Sequence, residues 1–312
     1  MYFPYLRGRQ FELIAVRELA EKGLINDNVI PIIEPIKPTS TLLKTLKTFN
    51  NCNKAIGVIG NPQVGNFKDE LDNLNNNSYK QEYMEQLNKE HVIRGHILNA
   101  DSRTEINELS LNGVKPEELL LVHNRSEFIA SYQEFFHDNP PTYNLIPYDI
   151  TFKRKIRTNK VLFADRFPKK ARNVDYLNEK DRSFSEDHLF YMEEGFQGFS
   201  DFTIVGSEFS ESGFAPMAVA IHIVYLDGED SLRIHHFVSN SNDDIRDPAR
   251  KFYEALDKLM AWNESQQLDT NAINELRKHY ANETYPGLGS LKKLAIMHHI
   301  ELINGFLNRS RV

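Results

Sequence analysis

The feature that most constrains this chain is a recurrence of short apolar runs, most of them separated by helical patterns. Eight such runs fall between residues 2 and 209: "YFPYL" (2–6), "VIPIIEPI" (29–36), "KAIGVIGNP" (54–62), "HVIRGHILNAD" (91–101), "ELLLVHNR" (118–125), "TYNLIPYDI" (142–150), "KVLFADRF" (160–167) and "FTIVGSEF" (202–209). Between them lie segments such as 10–21, where Phe11, Ile14 or Ala15, and Leu19 recur at helical steps and make one apolar face. Near-continuous apolar strands alternating with amphipathic helices predict parallel strands covered by helices, because both faces of such a sheet are buried. Eight of them predict an α/β chain folded as a (β/α)8 TIM-type barrel. An open doubly wound sheet is the alternative, but the chain has neither G-x-G-x-x-G nor a P-loop sequence to favour it.

After residue 210 the alternation stops. "APMAVAIHIVYLDGEDSLRIHHFVSN" reads as a β-hairpin about Asp227-Gly228. Val219, Ile221, Ile223 and Tyr225 share one of its faces, and Ala218, Ala220 and His222 the other. A turn over 227–230 places His222 across from His235. Three helical patterns follow, the first with Asp247 and Pro248 as N-cap and N1. No linker marks a boundary, so the expectation is one α/β barrel domain over 1–312, elaborated by a hairpin and helices over 210–312. The Asn-rich stretch "LDNLNNNSYK" (71–80) reads as a surface excursion.

Charge and cysteine content narrow the function classes. A net charge of −7 excludes a molecule that grips nucleic acid with its whole surface. The exception is local: residues 151–172 hold nine Lys or Arg and one acid, Asp165. Such an island suits a phosphate site, a nucleic-acid backbone or a partner protein. The single cysteine, Cys52, leaves no internal disulfide or cysteine-based zinc site within one chain and suits a reducing cytoplasm. No signal-peptide pattern and no uninterrupted apolar run near ~18 residues is present, so a cytoplasmic protein without a membrane partner is expected.

In a barrel the working residues stand at the C-terminal ends of the strands. Those ends carry Arg7 and Arg9, Glu34, Asn61, Asn99, Asn124 beside His123, Asp149, Asp165 with Arg166, and Ser207 with Glu208. Glu34 lies between "PII" and "PI", where an unpaired carboxylate is costly, and a cation such as Arg7 from the neighbouring strand would satisfy it. Glu34, Asp149 and Asp165 are the acids expected to hold a divalent ion such as Mg²⁺ or to transfer protons, with His222 as general acid. Arg7, Arg9, Asn61, Asn99, Asn124, Arg166, Glu208 and His236 are the expected substrate-binding groups. The Gly8 backbone between two cations, just ahead of a helix, suits close approach to an anion. "GSEFSESGFAP" (206–216) lacks G-x-S-x-G and reads as a loop over the barrel mouth.

Four stretches taken in order, "YFPYLRGRQFELIAVREL", "IPIIEPI", "AVAIHIVY…LRIHHFVS" and "YPGLGSLKKLAIMHHIEL", resemble a bacterial family of the "beta protein" type, related to a phage T4 protein of that name. The resemblance spans essentially the whole chain. It implies kinship with proteins carried by mobile elements and defence neighbourhoods, and it carries no activity. Its landmarks include Arg7, Gly8, Glu12, Glu34, His222, His236, His298 and His299. Separately, an Arg-Gly followed by Glu on the next strand is similar to the layout of phosphodiesterase barrels, although Leu6 stands where those carry a histidine. The expected activity is therefore action on a phosphorylated or otherwise anionic substrate, with phosphodiester hydrolysis as one form. The alternative is a non-catalytic component that contacts nucleic acid or a partner protein in a phage-related or anti-phage system.

Overall fold

The computed structural model describes residues 1–74, 77–210 and 216–309. Its main sheet has eight parallel strands: β1 (Tyr5–Leu6), β2 (Ile32–Ile33), β3 (Ile56–Ile59), β4 (Val92–Ile97), β5 (Leu120–Val122), β6 (Tyr143–Ile146), β7 (Lys160–Phe163) and, after the insertion of β8 (Asp181–Ser185) into another sheet, β9 (Gly198–Ser200). Each pairs with the next in parallel register. The ring closes through a parallel bridge between Tyr2 and Phe199. Backbone bonds run from the Phe3 N–H to the Phe199 carbonyl and from the Tyr5 N–H to the Asp201 carbonyl, both 2.8 Å. This is the (β/α)8 barrel expected from the alternation.

Strand periodicity sorts the side chains. Phe3, Tyr5, Ile30, Ile32, Ile59, Ile97, Leu120, Val122, Leu145, Val161 and Phe202 fill the interior of the barrel. Their neighbours Leu6, Ile33, Val58, Leu121, Ile146 and Leu162 face the surrounding helices. The helices between strands include Gln10–Glu21, Ser40–Asn51, Ser102–Leu111 and Ile129–Phe136.

The eighth strand differs from the expectation. The apolar run at 202–209 is not a strand; β9 precedes it as Gly198-Phe199-Ser200, too short and too small in side chains to stand out by periodicity. Phe202 instead plugs the barrel, and Thr203 turns the chain at φ 52°. The connector between β6 and β7 also contains a short helix, Ile150–Lys155, capped by Asp149.

The appended region builds a second sheet, β10 (Ala220–Leu226) and β11 (Leu232–Val238) with β8 on the outer edge of β11, all antiparallel. β8 was not legible beforehand. The hairpin loop is Asp227–Ser231, one residue longer than expected, so His222 faces His236 rather than His235. Helix Pro248–Gln266 packs on this sheet, helix Asn271–Ala281 packs on that helix and on helix Leu288–Arg309, and helix Leu288–Arg309 runs between the sheet and helix Gln10–Glu21. That last helix is apolar nearly all round, which fits its burial on several sides. Gly289 lies where a Cβ would sit 2.0 Å from the Phe11 ring, so only glycine lets the two helices meet there. No described helix is long and apolar enough to cross a membrane.

Candidate functional site

At the C-terminal mouth, the first two strands and the segment after β9 are tied together by charge. The Glu34 carboxylate is fully buried. It accepts the Tyr5 hydroxyl at 2.8 Å, the Gln63 backbone N–H at 2.8 Å, and the Arg7 guanidinium, with which it forms an ion pair. Burial and the facing carboxylate push the Tyr5 phenol well above its ordinary pKa, so it stays a hydrogen-bond donor. Arg7 also donates to the Ser207 carbonyl at 2.8 Å, while its guanidinium carbon lies 5.1 Å from the centre of the Phe202 ring. The Ser207 N–H in turn donates to Asp165 at 2.8 Å. Gly8, at φ +66°, lets the turn between the arginines lie against Glu34 and Pro35, where a Cβ would come within 3.0 Å of the Pro35 Cα. Arg7, Glu34 and Asp165 are therefore brought together as expected, but as a brace whose polar groups largely answer one another.

The remaining expected residues have local partners. Arg9 donates to the Ser210 carbonyl at 2.6 Å and stacks over Phe209. Asn61 bridges to β4 through both the N–H and the carbonyl of Ile97, each at 2.8 Å, and Asn99 bonds Glu105 at 3.2 Å. Asn124 is exposed. Asp149 accepts the N–H groups of Thr151 and Phe152 as a helix cap, and no hydrogen bond or ion pair joins it to Glu34 or Asp165 among the described residues. Arg166 grips Asp187 with two bonds of 2.8 and 2.7 Å, which leaves its fork engaged away from the mouth. Glu208 makes an exposed pair with Lys169. Among the described residues no three His, Cys, Asp or Glu groups converge on a common point, so Glu34, Asp149 and Asp165 do not form the ion-binding set expected of them. Of the loop at 206–216, residues 211–215 lie outside the described residues, as do 75 and 76 of the Asn-rich stretch.

A second concavity lies beside the mouth. A cavity of about 300 Å³ is enclosed by the segment after β7 (Phe167, Lys169, Lys170, Asn173, Tyr176), the segment after β9 (Ile204, Val205), the hairpin (Val219–His222) and the start of the C-terminal helix (Leu288, Leu291, Lys292, Ala295). The Nδ1 atoms of His222 and His236 are 2.8 Å apart, and the Tyr176 ring packs on both imidazoles. Two Nδ1 atoms at that distance share one proton, so at least one ring presents a bare Nδ1. Burial holds both below the ordinary histidine range, helped at His236 by its neighbour His235. His222 is lowered well below, chiefly by burial and then by His236 and Lys292, and His236 is lowered to about 4. His222 is thus held in its neutral form.

Lys292 was not among the expected residues. It is half-buried and makes no hydrogen bond or ion pair among the described residues, and burial lowers its pKa despite the field of nearby Glu12. Glu12 is itself buried, with its pKa raised, and faces the backbone of Arg9. The available signal was a lysine pair, Lys292-Lys293, beside the apolar run Leu294 to Met297 of a largely buried helix. Lys293 is answered by Glu18 at 2.9 Å; Lys292 has no such answer.

One further arrangement has the residue types of a nucleophilic triad without its geometry. Ser102 Oγ is 2.8 Å from His96 Nε2, but Glu105 approaches that same nitrogen at 3.9 Å, so no carboxylate orients the opposite side of the ring. No protein-family model matches this chain, and no curated protein is significantly similar to it.

Proposed function

We propose that this protein binds a phosphorylated or otherwise anionic small molecule in the cavity between the barrel mouth and the appended hairpin, and acts on it by phosphoester hydrolysis. The carrying observation is Lys292, a half-buried cation that lines the cavity and makes no hydrogen bond or ion pair among the described residues, the acid nearest in effect being the buried Glu12, whose own pKa is raised. An unanswered cation in a partly desolvated wall is costly and is relieved by an anion. Its position supports the reading: the loops after the seventh and eighth barrel strands and a helix N-terminus are where barrels of this type frequently hold phosphate. Lys169 and Lys170 stand at the same edge, paired with Glu208 and Glu179, and neutral His222 is the base that would take a proton from attacking water. Isothermal titration with inorganic phosphate tests it. Wild-type protein is expected to bind, and Lys292→Met to bind at least about tenfold more weakly, the scale of one lost charge-assisted bond. Equal affinity in the two proteins would remove the cavity from consideration.

A second reading is favoured by a separate observation. Arg154, Lys155 and Arg157 are exposed around an open groove with His137 and Thr158, and none of the three has an acid partner among the described residues. In an acidic protein that local excess suits a nucleic-acid backbone, which is also the setting that kinship with the beta-protein family would imply. Fluorescence anisotropy with a single-stranded oligonucleotide is then expected to give a slope of about −2 in log K against log salt, as three phosphate contacts require. The variant Arg154→Glu/Arg157→Glu should abolish binding; a salt-independent signal would count against the reading.

A further inference from the structure

Resting on the anion-site reading above, we infer that the ligand is a phosphate ester of a small apolar or aromatic alcohol rather than a sugar phosphate or nucleotide. The cavity has two chemically distinct ends. Its polar edge carries Lys292, together with Lys169 and Lys170, which Glu208 and Glu179 hold in ion pairs. Its walls are apolar: Phe167, Ile204, Val219, Ile221, Leu291 and Ala295.

Hydrogen-bonding capacity separates the ligand classes. Beyond the lysines, the described lining residues with polar side chains are Asn173, Tyr176 and His222, and each already spends part of its hydrogen-bonding capacity within the protein. Asn173 donates to the Ala218 carbonyl at 2.8 Å, the Tyr176 hydroxyl accepts the Lys170 N–H at 3.0 Å, and His222 holds His236. A sugar body would bring several hydroxyls into this wall and leave most without partners, at about 1–3 kcal/mol for each buried one. An aromatic or short aliphatic body needs no such partners and gains from contact with Phe167, Ile204 and Leu291. The volume, about 300 Å³, stands at the lower end for small-molecule sites and suits a single ring better than a nucleotide.

Titration of the wild-type protein with phenyl phosphate, glucose 6-phosphate, inorganic phosphate and phenol distinguishes the outcomes. Phenyl phosphate is expected to bind at least tenfold more tightly than inorganic phosphate, and glucose 6-phosphate no more tightly than inorganic phosphate. Glucose 6-phosphate equal to or tighter than phenyl phosphate would overturn the inference while leaving an anion site in place. Phenol binding as tightly as phenyl phosphate would overturn the anionic part, and with it the reading beneath. No binding by any phosphate would overturn both. Ala295→Phe narrows the apolar end without touching a charge. It is expected to erase the advantage of phenyl phosphate and leave inorganic phosphate unchanged; an advantage that survives would place the ring elsewhere and overturn the assignment.

Discussion

Arg7→Ala is expected to lower the free energy of unfolding by about 3–5 kcal/mol, the cost of leaving a buried carboxylate without its counter-ion. Glu34 is fully buried, and without Arg7 only the Tyr5 hydroxyl and the Gln63 amide would face its charge. The loss extends across the mouth, because Arg7 also holds the Ser207 carbonyl and so the turn that Asp165 secures from β7. Replacing both members with apolar residues of similar size, Arg7→Met with Glu34→Leu, should recover much of the loss, since neither charge is then stranded. Urea denaturation of the single and double variants measures this directly. A double variant no better than the single would show that the ion pair does not dominate the cost and that lost packing on Phe202 does.

Acidification is expected to unfold the protein at a mildly acid pH. Burial lowers the pKa of His96, His123, His236 and His298 to about 4 and that of His299 to about 3. Their depressed folded pKa values mean that the unfolded chain takes up protons first as pH falls below about 6.5, so the stability they permit is complete above that pH and lost below it. Each shift of this size corresponds to roughly 3 kcal/mol, and total stabilities run to about 5–15 kcal/mol, so a few such groups are enough. His298 is wholly enclosed, with both ring nitrogens in contact with the protein. Its Nε2 meets the Val224 carbonyl at 2.7 Å and its Nδ1 the Thr270 hydroxyl at 2.8 Å.

Asp201 acts in the opposite sense. Burial raises its carboxyl to about 7, so between pH 7 and 4 the folded chain holds a proton that the unfolded chain lacks. That contribution grows as pH falls. Urea midpoints from pH 8 to 4.5 should therefore fall steeply below pH 6.5, and more steeply still in Asp201→Asn. A flat profile would mean that these histidines are protonated at no cost in the folded state.

The parallel barrel was legible because its cause is local. Each strand must be apolar on both faces and each helix on one, and that double requirement writes a repeating pattern into "VIPIIEPI" or "ELLLVHNR" whatever the rest of the chain does. The pairing of Arg7 with Glu34 was legible for a similar reason: an acid set among apolar residues needs a cation, and the adjacent strand end supplied one. The eighth strand was obscured because "GFS" draws its place from backbone hydrogen bonds with Phe3 and Ala164 at distant points in the chain, not from its own side-chain pattern. Asp149 and Asp165 follow apolar residues just as Glu34 does, yet one caps a helix and the other accepts the backbone N–H groups of Phe167 and Ser207.

By itself, then, the sequence determined the layering of the fold and the existence of charged groups at strand ends, both consequences of side-chain patterning over a few residues. Only the tertiary structure decided which of those groups meet. Hairpin register set His222 against His236, and the course of the last helix carried Lys292 to a cavity formed by segments that precede it by many turns of chain, from Phe167 to His222. Contacts of that kind depend on where rigid elements come to rest against one another, and a short stretch of sequence specifies an element's own faces without specifying which distant surface will cover them.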